Sequence, residues 1–187
     1  MKPHYILAAA VAATTVLALA ATPTPLPPSW SMMGQNPDKF TAGVDASPDG
    51  HGAKFLSNMT GDTTAWASLG QSIQAQRYVG QRVRFRARLR TRDMSNWAGL
   101  WMSVNAMDGH TLAFYNTQDK PIKGSNGWQE RSIVLDVPAD AAAITFGAIG
   151  AGTGQVWMEP LAFETVGRDV PVDQFAPRPD LPSTPTL

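Results

Sequence analysis

QRVRFRARLRTR, residues 81–92, sets six of the chain's ten arginines on alternate positions from Arg82 to Arg92, with Val83, Phe85, Ala87 and Leu89 between them. Successive side chains of an extended strand point to opposite faces, whereas a helix, at about 100° per residue, would spread the same apolar residues around its circumference. The stretch therefore reads as a half-buried strand, aliphatic on one side and cationic on the other. A disordered basic arm has no reason to alternate. The whole chain agrees: 15 basic against 15 acidic side chains give a formal charge of zero. No general field gathers a polyanion, and no nucleic-acid partner is expected.

Outward from this strand, short apolar-alternating runs recur at 40–45, 52–57, 67–75, 97–106, 111–116, 128–137, 143–150 and 155–165. Turn chemistry separates them at Ser47-Pro48-Asp49-Gly50, Asp108-Gly109, Gly124-Ser125-Asn126-Gly127 and Gly150 to Gly154. Eight or nine strands at such spacing predict an all-β fold, a two-sheet antiparallel β-sandwich. One short helical turn is expected near Ala139 to Ala143, started by Pro138.

The ends differ from this middle. Residues 1–20 carry Lys2, an apolar run from Tyr5 to Ala20 and the A-x-A triplet Ala18-Leu19-Ala20, which is the pattern of a signal peptide cleaved after Ala20. The expected location is periplasmic or secreted, with membrane contact only if that segment stays uncleaved. Residues 21–30 form a proline-rich linker, 31–166 the folded domain, and 167–187, with five prolines, a flexible tail. The chain has no cysteine, so neither a disulfide nor a thiolate nucleophile is available.

The stretch from Trp97 to Glu164, with Val137-Pro138-Ala139-Asp140-Ala141, Ile144 to Gly147 and Gly154-Gln155-Val156-Trp157, resembles a bacterial jelly-roll domain of unassigned ligand. That domain occurs as secreted chains and also fused to arabinose-regulator-type transcription factors. More distantly it is similar to carbohydrate-binding modules of the galactose-binding-like fold. Members usually carry two aspartates after the V-W motif; here Glu159-Pro160 follows Met158, so no role of those aspartates carries over.

The resemblance implies a jelly-roll strand order. A plain hairpin of 81–92 with 97–106 would set Arg92 near Trp97 and Arg88 near Trp101. Jelly-roll order instead sends the two segments to opposite sheets, with 81–92 between 128–137 and 155–165 and its arginines beside Glu130, Ser132, Glu159 or Glu164. On 97–106, Ala98, Leu100, Met102 and Val104 form a clean apolar face. Trp97, Gly99, Trp101, Ser103 and Asn105 are left on the other. Indoles beside hydroxyls and amides suit a sugar, whose apolar face stacks on a ring while its hydroxyls need directional partners. Strand 111–116 is expected to bring Tyr115 to Trp101's side with Leu112 and Phe114 in the core. Ser72 and Gln74 fall on the same surface, and the loop from Asn116 to Lys123 overhangs it with Gln118 and Lys120. Trp66, Trp128 and Trp157 are assigned to core or rim packing.

The expected function is therefore a non-catalytic module binding a carbohydrate or other small polar ligand through Trp97, Trp101, Ser103, Asn105, Tyr115, Gln118 and Lys120. The alternative is an envelope domain that docks a protein partner. Catalysis finds little support, since after the signal only His51 and His110 remain, both in glycine-rich turns. No cofactor is expected. Asp45, Asp49 and His51 lie close enough in sequence for a structural calcium, and spacing alone does not separate that from turn capping.

Overall fold

The computed structural model describes residues 23–46, 52–176 and 184. The signal segment 1–20, Asp49 and His51, and the end of the tail lie outside the described residues. Nine strands follow in chain order: β1 Trp30–Gly34, β2 Thr41–Val44, β3 Lys54–Asn58, β4 Trp66–Gln74, β5 Arg82–Ala106, β6 Thr111–Asn116, β7 Ile122–Asp136, β8 Ala141–Ala151 and β9 Gly154–Val166. All their pairings are antiparallel. The architecture is a jelly-roll-like β-sandwich.

The two segments 81–92 and 97–106 are halves of one 25-residue strand. The first half of β5 lies between β7 and β9, as jelly-roll order requires, and the second half pairs with β8 and β6. One layer thus runs β1-β4-β8-β5-β6 and the other β2-β3-β9-β5-β7. Val83, Phe85, Ala87 and Leu89 are buried from the first half, and Ala98, Leu100, Met102 and Val104 from the second. The inward parity changes from odd to even, so the strand must slip by a residue between them. It does so at Asp93, which adopts φ 54°, a left-handed conformation that aspartate tolerates better than a β-branched residue. The Asp93 amide donates to Ser125 Oγ, which donates back to Asp93 Oδ1, each at 3.0 Å. Across the bend, the Ser95 amide donates to the Thr153 carbonyl and the Thr153 amide to Ser95 Oγ.

Phe85 meets Phe146 across the core at 4.7 Å between ring centres, and Phe146 stacks on Phe163 at the same separation. Outside, the arginines face carboxylates: Arg82 meets Asp136, Arg84 Glu164, Arg86 both Glu130 and Glu164, and Arg88 Glu159. Apart from Arg82, whose side chain is largely covered, these pairs are solvent-exposed and contribute only about 0–1 kcal/mol each, so burial of the apolar face holds β5 in place.

Three expectations need correction. Residues 139–143 form no helical turn: Ala139 and Asp140 make a tight turn, with the Ala141 amide donating to the Pro138 carbonyl at 3.2 Å, and β8 starts at once. The loop from Asn116 is short, because β7 begins at Ile122 and pairs it with Ala98. The segment 167–176 is not a free tail. Arg82 Nη1 donates to the carbonyls of Arg168 and Val170, the Asp173 amide donates to the Val134 carbonyl, and Asp173 Oδ2 accepts from the Val134 amide. Phe175 ends this strap against Tyr115, 5.0 Å between ring centres.

Two outcomes follow. Leu89→Ala, at a fully buried position, should cost about 2–5 kcal/mol in urea unfolding, whereas Arg86→Ala should stay within about 1 kcal/mol. Arg82, by its hydrogen bonds to Asp136, holds that carboxyl below its ordinary range, so their contribution is complete above the unfolded value near pH 4 and is lost as pH falls through the folded one. Hydrogen-exchange protection at the Asp173 amide should therefore fall in that acidic window before protection in the core does.

Candidate functional site

The outer face of the layer β1-β4-β8-β5-β6 carries a cleft of about 490 Å³. Its two walls of indole come from β5: Trp97 and Trp101, each 8% exposed. Their room is made by glycine. Trp101 pairs with Gly147 of β8, which pairs with Gly70 of β4, and a Cβ on Gly70 would come within 2.7 Å of Trp101 Cζ2. A Cβ on Gly147 would overlap the Leu69 carbonyl oxygen, and one on Gly99 would overlap Thr117 Oγ1 and come within 3.1 Å of Trp97 Cζ3. Glycine in a strand interior otherwise weakens it, and here it marks close approach of an indole to backbone. Thr117 Oγ1 accepts from the buried Leu100 amide at 3.0 Å, which ties the turn after β6 to the cleft floor.

Trp66 of β4 completes the aromatic wall; it is 36% exposed and its Nε1 donates to Gln35 Oε1 at 3.0 Å. Asn96, Asn116, Gln118, Thr64 and Ser68 supply amides and hydroxyls, and Met33, Phe114 and Ile149 supply apolar surface. Among the described residues, none of the lining is ionisable. Trp101 Nε1 is buried with no hydrogen-bond partner among the described residues.

Of the residues singled out from sequence, the structure brings Trp97, Trp101 and Gln118 together in this cleft. Ser103 and Asn105 share the sheet face but lie outside the lining, and they are occupied locally: Ser103 Oγ donates to Asn105 Oδ1 at 2.6 Å, and Asn105 Nδ2 donates to Thr111 Oγ1. Lys120 is exposed and away from the lining. Tyr115 is placed differently from expectation. It faces the core at 3% exposure, opposite Met102, while Phe114, opposite Ser103, faces out at 42%. The run Leu112-Ala113-Phe114-Tyr115 is apolar throughout, so alternation does not choose a face, and a bulge at Leu112 fixes the register. Burial, and then donation to Asp119 Oδ1 at 2.7 Å, raises the Tyr115 hydroxyl above the ordinary phenol range.

Trp66 was legible in principle, because it shares the alternation that sets Ser72 and Gln74 on the outer face of β4. Trp157 and Trp128 lie on the opposite layer, where they pack with Ala53 and Phe55. Asp45 Oδ2 accepts from Trp157 Nε1 at 2.7 Å, and no cluster of three metal-ligating side chains occurs among the described residues.

No protein-family model matches the chain. Among curated proteins, YbfP of Bacillus subtilis (strain 168), named an uncharacterized HTH-type transcriptional regulator, is 37% identical over 145 residues, covering 76% of this chain and 49% of its own length. The chain thus spans about half the length of that relative. Solved structures are similar at low identity, among them the following three. The enzymatically active domain of bacteriophage CBA120 tailspike protein 4 has a TM-score of 0.54 at 15% identity, covering 74% of this chain and 20% of that one. A putative sugar binding protein from Bacteroides thetaiotaomicron VPI-5482 has a TM-score of 0.51 at 14% identity, covering 73% and 87%. A CBM4 structure has a TM-score of 0.50 at 14% identity, covering 73% and 86%. These likenesses establish the β-sandwich fold.

The glycine floor gives a direct check. Gly70→Ala should move the Trp101 indole, altering near-ultraviolet circular dichroism relative to a Trp101→Phe background, and should cost about 1–3 kcal/mol. An unchanged aromatic spectrum would mean that the indole does not lie over Gly70.

Proposed function

We propose that the protein is an exported, non-catalytic module whose cleft binds an uncharged carbohydrate. One observation carries this reading: Trp66, Trp97 and Trp101 surround an open cleft whose remaining polar groups are amides and hydroxyls, with no ionisable group in the lining among the described residues. Sugar rings present C–H faces that stack on indoles, and hydroxyls that both donate and accept, which amides match without the desolvation cost of burying a charge. General acid–base chemistry needs an ionisable group within reach of substrate, and the described residues of this lining offer none. The CBM4 structure and the sugar binding protein that share the fold support the reading as analogues. Export rests on the pattern of residues 1–20, and the mature chain should begin at Ala21. A ligand-recognising unit also suits a segment that matches about half of a longer regulator.

The test is a glycan array followed by titration monitored by tryptophan fluorescence. Trp101→Ala and Trp66→Ala should each weaken binding of the selected glycan about five- to hundredfold, since loss of one stacking indole removes about 1–3 kcal/mol. Ser103→Ala should leave binding unchanged. If no neutral glycan binds, or if Trp101→Ala binds as the wild type does, the proposal fails and a protein-docking envelope domain becomes the better account.

A further inference from the structure

On the outer face of the other layer, the arginine row changes partners along its length. Arg82, Arg84, Arg86 and Arg88 meet carboxylates, but toward the bend indoles take over. Arg90 Cζ lies 4.2 Å from the Trp157 ring centre and 5.3 Å from that of Trp128, and Arg92 Cζ lies 5.3 Å from the Trp157 ring centre. The Arg92 guanidinium donates to a neutral amide, Gln155 Oε1, at 2.8 Å. It forms no ion pair among the described residues. Stacking on an indole fixes the plane of a guanidinium and leaves N–H donors along its edge.

Arg90 and Arg92 line an open hollow of about 480 Å³ shared with Ser125, Asn126, Trp157 and Asp45. Ser125 Oγ is used by Asp93, Asn126 Nδ2 by Thr91 and Lys123, and Asp45 Oδ2 by Trp157, so Arg92 is the cation with donors to spare. We propose that this hollow is a second binding site, for one small oxyanion, a carboxylate or sulfate group, held by Arg92 beside Arg90. A polyanion fits the face poorly, because Glu130, Glu159 and Glu164 interrupt the positive row. This site stands on residues of the opposite layer and does not depend on the cleft.

The test follows the Trp157 Nε1–H resonance by NMR during titration with sodium sulfate, sodium acetate and sodium galacturonate. A saturable shift is expected with at least one of these anions, and none with galactose or with sodium chloride at equal ionic strength. Arg92→Gln should weaken binding at least tenfold. Asp45→Asn, which removes a negative charge from the hollow yet keeps an oxygen for Trp157 Nε1, should strengthen it several-fold, a gain that loss of structure would not produce. Trp101→Ala should leave it unchanged. Galacturonate binding tighter than acetate would assign the anion to a sugar, and equal affinity to free anions. Absence of any saturable shift, or wild-type affinity in Arg92→Gln, would overturn the proposal.

Discussion

A single strand that serves both layers must exchange its inward and outward residues where it crosses, and β5 does this at Asp93. Before the bend the odd residues are buried, and after it the even ones are, so a slip of one position is built into the backbone. Without that slip, either the arginines or the indoles of β5 would be driven between the layers, where an unpaired guanidinium is far more costly than at the surface. The bend is held by short-range contacts: Ser125 closes on Asp93, and the turn after β8 closes on Ser95. Gly154 is required there, since a Cβ on it would press on the carbonyls of Arg92 and Asp93. The crossing therefore decides which chemistry each outer face receives.

The cleft follows from the same parity through glycine. Large indoles on an outer sheet face ordinarily stand up into solvent, but Gly70 and Gly147 lower the surface beneath Trp101, so the ring is buried while its wall of the cleft stays open. These glycines sacrifice strand stability, and the indole restores contact by covering their backbone. The result is an aromatic site set into the sheet rather than carried on loops. Such a site needs little rearrangement to bind, which favours affinity for a ligand that offers few strong contacts.

Period-two alternation made both halves of β5 legible, because each carries four apolar residues on one parity, with arginines on the other parity of the first half and indoles, glycine and polar residues on that of the second. It failed where one class of residue fills both parities. In β6 four successive apolar residues left the face of Phe114 and Tyr115 to the register, and the register to a bulge that no local signal announces. β1, with Trp30-Ser31-Met32-Met33 after a proline-rich stretch, shows no alternation and forms because β4 offers it an edge. The strap 167–176 forms no regular element, in keeping with Pro171; what sequence composition does not reveal is that Arg82 and Val134 hold it in place. Candidate site residues divide in the same way. Trp97 and Trp101 follow from parity alone, whereas the occupation of Ser103 by Asn105 depends on a contact two residues away that hydrogen-bond geometry alone reveals.

The two outer faces also differ in the forces they can use. On the proposed reading, an uncharged cleft gains little from long-range attraction, so recognition there would depend on contact: ring on ring, hydroxyl to amide. The arginine row extends its field over roughly a Debye length, about 8 Å at physiological salt, and the glutamates beside Arg84, Arg86 and Arg88 cancel most of it on that side of the bend. A neutral ligand in the cleft carries no net charge to couple to that row through the core, and an anion near Arg92 meets no aromatic face that Arg90 and Arg92 have not already taken. Occupancy of one face should therefore be independent of the other in both affinity and salt dependence. The sandwich separates the two chemistries by the one-residue slip that lets a single strand enter both layers.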